Sequence, residues 1–195
     1  MFTFSPCAEK QCRYPAVSDS KYCLTHSPFA EKIIDRAVSA MESGEVLGSV
    51  SLSGTTIRGR DFSGCRLYAC NLARNIFIDC DFSEAFIQLS FFDFSKFLHC
   101  RFEDVTIKYG VFAGSEFRSC CFEGSDILHT NFIGISAREC SFDDSDLYFS
   151  NFTQSQLDSV SFKDCNVKKV EFTESIRHEV SFKYSNFEEA IFTRE

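Results

Sequence analysis

From residue 52 to residue 192 the side chain at every fifth position is apolar, with one exception. Of the 29 positions in this series 28 are apolar, Arg177 being the exception, and 17 are phenylalanine. A period of five matches neither the helical 3.6 nor the strand 2.0. Two residues before each of these centres the side chain is small (Ser, Cys, Thr, Ala, Gly or Val) in 26 cases; Arg60, Asn75 and Ile135 depart from the rule. The other three positions are mostly polar or charged, and the register never slips, so no loop is inserted. One large and one small inward position per pentad cannot bury anything alone. Such a chain must close into a coil and stack its coils.

Residues 145–149, "SDLYF", and 150–154, "SNFTQ", carry the pattern small–(Asp/Asn)–(Leu/Phe)–x–x. Over residues 50–195 the chain resembles the pentapeptide-repeat proteins. The resemblance implies an all-β solenoid, a right-handed quadrilateral β-helix with four pentads per coil. A second periodicity supports the four sides independently. Phe62, Phe82, Phe102, Phe122, Phe142, Phe162 and Phe182 are twenty apart, as are Leu72, Phe92, Phe112, Phe132, Phe152, Phe172 and Phe192. The series Leu67, Ile87, Ile107, Ile127, Leu147, Val167 stays aliphatic until Phe187. Two Phe faces are therefore expected to oppose each other across a close-packed interior. About seven coils at the ~4.8 Å strand spacing make a rod of roughly 34 Å.

The register sorts the 11 cysteines. Cys65, Cys70, Cys80, Cys100, Cys120, Cys140 and Cys165 take the small inward position, where cysteine acts as a small buried hydrophobe. Cys7, Cys12, Cys23 and His26 precede the repeat and read C-x4-C-x10-C-x2-H. Three sulfurs and an imidazole form a donor set for structural Zn2+, and four protein ligands leave no open catalytic position. The stretch is too short and polar to fold on a core of its own, and "KYCLTH" resembles half of a small Cys3His zinc knuckle. Residues 1–27 are thus read as a zinc-binding segment and 45–195 as the solenoid.

Between them, residues 28–44 predict an amphipathic helix with Phe29, Ile33, Ile34, Ala37, Val38 and Met41 on one stripe. Ser27 is the expected N-cap, Pro28 the first helical residue and Gly44 the stop. Its apolar face is expected to cap the open first coil.

No apolar run approaches the roughly 18 residues of a membrane span, and the N-terminus lacks the pattern of a signal peptide. A soluble, cytoplasmic protein with no membrane partner is the expectation. The net charge of −8 argues against direct binding of nucleic acid. His99, His129 and His178 stand at outward positions, and no nucleophile elbow, phosphate loop or open metal triad appears. The chain reads as a non-enzyme.

What remains is binding. Pentads on the face of Phe62 and Phe82 sum to −5, against 0, −1 and −1 on the other three. Between residues 80 and 144 the acids of that face are Asp81, Glu84, Glu103, Asp104, Glu123, Asp143 and Asp144, opposed there by Arg101. An unidentified protein with a basic surface is the expected partner. Phe86, Leu89, Phe91, Phe94 and Leu98 take outward positions within one coil and read as an apolar contact patch, or as ground covered by the N-terminal segment. Some pentapeptide-repeat proteins imitate DNA before a type II topoisomerase, DNA gyrase. That resemblance implies an alternative role, although a repeat net charge of −7 is about a third of the density of B-DNA.

Two expectations concern the far end. Burying an unpaired Arg177 costs several kcal/mol, so its pentad is expected to be distorted, with Arg177 outward or paired with an acid such as Glu179. Phe192 is followed only by Thr193, Arg194 and Glu195, so Phe182, Phe187 and Phe192 are expected to lie edge-on and to pair with the same end of a second copy, as a homodimer.

Overall fold

A computed structural model describes residues 5–193. Residues 1–4 of the N-terminal segment, and Arg194 and Glu195, lie outside it.

The corners convert a five-residue period into a coil. Every fifth residue from Ser49 to Tyr184, two past each centre, has positive φ. A non-glycine residue there costs roughly 1–2 kcal/mol. Only six of these corners are glycine: Gly54, Gly59, Gly64, Gly114, Gly124 and Gly134. The offsetting gain is hydrogen bonding, because a corner N–H such as Glu84 reaches the carbonyl of Glu103 in the next coil at 2.8 Å, and Asp104 reaches Glu123 at 2.9 Å. At Gly114 a Cβ would stand 2.7 Å from the ring of Phe94, so the missing side chain there makes room for that ring.

Four faces follow in chain order, named here by their centres. Face 1 carries Phe62 to Phe182, face 2 Leu67 to Phe187, face 3 Leu72 to Phe192 and face 4 Ile57 to Arg177. Face 4 is a seven-stranded parallel sheet running from Thr56–Arg58 to Ile176–His178. Face 2 is a five-stranded one running from Val46–Gly48 to Asp126–Leu128. Every pairing is offset by twenty, as in Leu67↔Ile87 and Phe97↔Phe117. Faces 1 and 3 hold single parallel bridges, such as Asp61↔Asp81 and Asn71↔Phe91.

The interior matches the sequence expectation. Phe102 stacks on Phe122 at 4.5 Å along face 1, and Phe92 on Phe112 at 4.9 Å along face 3. Across the interior the faces meet edge to face, Phe142 to Phe152 at 5.8 Å and 90°. Both are favoured geometries for rings with a quadrupole. Of the departures from the small slot, Ile135 is explained by a size exchange. The centre of its pentad is Ala137, and both are buried. Asn75 does the work of serine, accepting from the Thr55 N–H at 2.9 Å and donating to the Leu52 carbonyl at 2.8 Å.

The small slot is more than a size filter. Ser115 Oγ donates to the Phe92 carbonyl at 2.8 Å and accepts from the Ser95 N–H at 3.0 Å. Thiols donate to the same carbonyl position: Cys100 to Phe77 at 3.5 Å and Cys120 to Phe97 at 3.4 Å. Burial pushes the Cys65 and Cys165 thiols up to about 12, so they stay neutral and inert.

The helix α1 spans Ala30–Glu42, two residues shorter at its start than the sequence predicts. Phe29 is the N-cap, and Ser27 caps no helical N–H; its Oγ accepts from the N–H of Phe29 at 3.3 Å. Pro28 therefore precedes the helix. Gly44 does end it, with φ +70 and its N–H on the Met41 carbonyl. Val38 and Met41 are buried against the first coil and Ile33, Ile34 and Ala37 pack beside them. Phe29 is 62% exposed and takes no part.

The pentad of Arg177 is not distorted. Ile176–His178 pairs in register with Gln156–Asp158. Arg177 is exposed as expected, but its partner is aromatic: the guanidinium lies 4.6 Å over the ring of Phe192. In the last coil a 3-10 turn, Phe187–Glu189, replaces the regular pentad. Phe187 is half exposed there, and Phe182 and Phe192 are partly buried.

Candidate metal centre and its docking face

Two tight turns bring the four N-terminal ligands together. Pro6 bridges Pro15 antiparallel, with the Cys7 N–H on the Tyr14 carbonyl at 3.0 Å. Gln11, at φ +68, turns the chain between Cys7 and Cys12. Cys23 begins a second turn in which the His26 N–H meets the Cys23 carbonyl at 3.1 Å. Three residues of helical turn put Cys23 and His26 on the same side.

The ligand atoms of Cys7, Cys12, Cys23 and His26 all lie within 4.8 Å of one another. Cys12 and Cys23 Sγ are 3.8 Å apart, and His26 Nδ1 is 3.5 Å from Cys7 Sγ and 3.3 Å from Cys23 Sγ. Bond lengths of 2.3 Å to sulfur and 2.0–2.1 Å to nitrogen imply tetrahedral edges of about 3.8 and about 3.5 Å. The cluster can therefore hold a metal ion with little movement. Cys7 and Cys23 are buried and His26 is exposed. Gln11, Cys12, Arg13, Tyr14, Thr25 and His26 line an open hollow of about 400 Å³ beside it.

Electrostatics favour a cation. Burial opposes ionisation of Cys7, but the backbone N–H groups of Cys23 and Glu9, with His26 and Cys12, more than offset it and bring the thiol down to about 6. The Cys23 N–H sits 3.3 Å from Cys7 Sγ. At Cys12 a backbone hydrogen bond at Tyr14 favours the thiolate, yet burial and the neighbouring thiols of Cys23 and Cys7 raise its pKa. Crowded thiols cannot all ionise without a cation to hold them. Among the described residues every cysteine is a free thiol.

The sequence offers the apolar patch as ground for this head, and Phe91 of that patch does share a groove with Arg13 and Pro15, but it does not point to the joint at Ser51. The Ser18 N–H donates to the Ser51 carbonyl at 2.9 Å, and the Ser51 N–H donates to Ser18 Oγ at 2.8 Å. Ser18 thereby takes the place of a preceding coil below Ser51, which bridges Asn71 above it. Ser51 and Asn71 point outward in the pentad yet are buried, whereas Val111 and Asn131 of the same face are only partly so. Arg13 and Pro15 share a groove with Ser53, Asn71, Ala73, Arg74, Phe91 and Asp93. The short side chains of Ser51, Ser53 and Ala73 at outward positions were the available signal.

The acidic residues of face 1 divide into two rows. Glu84, Asp104, Glu123 and Asp144 are exposed, while Asp81, Glu103 and Asp143 are partly buried. Arg101 pairs with Glu103 at 2.6 Å and Asp81 at 3.5 Å. Asp143 accepts from Ser161 Oγ and from the Lys163 N–H, and Glu123 from Ser141 Oγ at 3.0 Å. The apolar residues wrap around the coil. Phe86 lies on face 2, Leu89 on the next corner, Phe91 on face 3, Phe94 on the following corner and Leu98 on face 4. Phe86 and Phe94 are exposed and the other three partly buried; the Arg74 guanidinium covers Phe94 at 4.9 Å.

A parallel β-solenoid of about seven coils, with one helix and a Cys3His cluster at its N-terminal end, defines the class of protein. The family model for the pentapeptide repeat region matches residues 115–192, and that for pentapeptide repeats matches residues 51–88. The chain belongs to the pentapeptide-repeat proteins. Among solved structures it is similar to trypsin-treated QnrB1, a plasmid-mediated fluoroquinolone resistance protein (20% identity, 74% of this chain and 78% of that one, TM-score 0.44). It is also similar to HetL, involved in heterocyst differentiation regulation in the cyanobacterium Nostoc (12% identity, 83% and 96% covered, TM-score 0.25). A third is Rfr23 of the cyanobacterium Cyanothece (8% identity, 82% and 99% covered, TM-score 0.37). At these identities the likeness is one of fold. No curated protein sequence matches the chain. No helix among the described residues is long and apolar enough to cross a membrane.

Proposed function

We propose that the protein is a non-enzymatic interaction scaffold that binds a basic protein surface through face 1. The observation that carries this reading is the exposed corner row Glu84, Asp104 and Asp144, for which no cation supplies an ion pair among the described residues. It stands beside an inner row, Asp81, Glu103 and Asp143, already engaged by Arg101, Ser161 and Lys163, while Glu123 accepts from Ser141. The corner row is free to attract a partner, whereas the inner row serves the fold. Charge of one sign along an edge steers association and makes it salt-dependent. Glu84→Lys, Asp104→Lys and Asp144→Lys together should leave the fold intact, since surface changes seldom exceed about 0.5 kcal/mol each. Proteins cross-linked to the wild-type chain at low salt should be lost from the triple variant. An unchanged set would refute the reading, and inhibition or protection in a gyrase supercoiling assay would replace it with DNA mimicry.

The metal in this proposal is structural zinc, supported by the three-sulfur, one-nitrogen donor set and its tetrahedral spacing. The C-terminal coil is proposed to pair two copies. Phe182, Phe187 and Phe192 form one ring cluster, with centroids 5.7–6.5 Å apart, in the last described coil. Light scattering at tens of micromolar should give twice the 22.2 kDa chain mass, and Phe187→Glu should return it to 22.2 kDa. A wild-type monomer refutes the pairing.

A further inference from the structure

The N-terminal head and the first coil are joined through main-chain groups, and this makes the metal centre more than a local staple. Only four residues of the described head, Cys7, Ala16, Val17 and Cys23, are buried, and two of these are ligands. The head has too little apolar surface to fold without a cross-link. Its visible ties to the rest of the chain are few: Leu24 packs, partly buried, against the hydrophobic core, and two polar pairs join it. The Arg36–Asp19 ion pair to α1 is 2.8 Å long but exposed on both sides, and such pairs contribute little. The reciprocal Ser18–Ser51 pair is short and lies over buried ground. Below Ser51 there is no earlier coil, so when Ser18 leaves, the Ser51 N–H and C=O become the unpaired edge of a parallel ladder that continues through Asn71 and Phe91. Unpaired edges of that kind accept another extended chain. Departure of the head also uncovers Ser51 Oγ, which is buried beneath it without a hydrogen-bond partner. Opening the latch therefore relieves one unsatisfied group while it exposes two main-chain ones.

We propose that the Cys3His centre is a latch: metal bound to Cys7, Cys12, Cys23 and His26 holds Ser18 on Ser51, and metal loss bares the face 3 edge of coil one while the rest of the solenoid stays folded. The inference rests on the metal reading above and adds a consequence to it, metal-gated exposure of the Ser51 main chain.

Amide hydrogen exchange on the full chain tests both parts. Zinc is first counted in the purified protein, then removed with a chelator and restored. One equivalent is expected, with Ser51 amide exchange at least tenfold faster after chelation and slow again on zinc return. The amides of Phe112 and Phe132, bonded to Asn131 and Asn151 in the middle of the rod, should not change. With metal retained, Ser18→Pro should speed the Ser51 amide alone, because it removes both halves of the pair. A protein that never holds metal overturns the metal reading and the latch together. A loaded protein whose Ser51 amide ignores chelation overturns the latch alone, as does chelation that releases Phe112 as fast as Ser51.

Discussion

At the N-terminal end of the rod, α1 lays Val38 and Met41 over the first centres and Ser18 completes the main-chain hydrogen bonds of Ser51. At the other end, Phe182, Phe187 and Phe192 meet solvent in the last described coil, where the Arg177 guanidinium lies over Phe192 and the Lys183 ammonium over Tyr184. A repeat has no internal instruction to stop, because each coil offers the next the same edge. The N-terminal stop needed sequence foreign to the repeat: a helix for the apolar interior and a cross-linked turn for the main-chain edge. The C-terminal coil instead alters the repeat itself, with an arginine at a centre and a 3-10 turn in place of a pentad.

The largest expected effect contrasts the middle with the bare end. Phe102 is fully buried between Phe82 and Phe122, at 5.0 and 4.5 Å. Phe102→Ala should cost about 3–5 kcal/mol, the usual range for a buried phenylalanine. Along its own face Phe182 stacks on one side only, on Phe162 at 5.2 Å, and it is partly exposed. Phe182→Ala should cost less than half as much in the monomer. Urea unfolding at low protein concentration checks both. Equal losses would mean that the last coil is covered in solution, which would itself favour the pairing of two copies.

A smaller effect concerns Arg177. Stacking of a guanidinium on a ring contributes about 0.5–1 kcal/mol at an exposed site. Arg177→Leu gives that up but restores an apolar centre, so stability should change by less than about 1 kcal/mol. Self-association, by contrast, should rise, because the guanidinium over the Phe192 ring is gone. Sedimentation velocity across a concentration series would show it. Weaker association would mean that Arg177 is part of the contact rather than a guard against it.

Most of the solenoid was legible because each of its rules repeats. An error at one pentad, such as the size exchange between Ile135 and Ala137, is outvoted by its neighbours. The head was legible only as a ligand set, since Cys7, Cys12, Cys23 and His26 declare a chemistry but not a position. Its docking rests on Ser18, one polar residue among many, and on short side chains at Ser51 and Ser53, whose absent bulk is a faint signal. The corners were missed for a different reason. Their left-handed backbone is imposed by closure of the coil and is tolerated by Leu89, Phe94 and Tyr109 as well as by glycine, so composition conceals it. Arg177 was read correctly as unfit for burial; that an aromatic ring and not an acid would receive it depended on Phe192, fifteen residues away in sequence.

The smallest effect is a titration confined to the C-terminal end. His178 Nδ1 lies 3.0 Å from Asp158 Oδ1, and Arg138 Nε is 3.0 Å from Oδ2 of the same carboxylate. The hydrogen bond to Asp158, with the charges of Glu179 and Asp158, raises the His178 pKa above its ordinary 6.5. The hydrogen bond from His178, with Arg138 adding to it, lowers that of Asp158 below 3.8. A raised histidine contributes stability that is fully present below pH 6.5 and is lost as pH rises through its folded value. A lowered carboxylate contributes stability present above pH 3.8 and lost as pH falls through its own folded value. The pair therefore tightens the last face 4 strand most in mildly acidic solution, and the N-terminal end has no share in it. His178 is largely open to water and Asp158 partly so, so the expected readout is spectroscopic rather than a change in global stability. In an NMR titration the His178 ring should have its midpoint above 6.5, and Asp158→Asn should move that midpoint down. The Ser159 amide, bonded to the His178 carbonyl at 2.9 Å, should exchange faster on the alkaline side of the midpoint, after correction for base catalysis, while the Ser51 amide of the metal-loaded protein should not change. A His178 midpoint unchanged by Asp158→Asn would break the pair, and with it the claim that the two ends answer to different chemical signals.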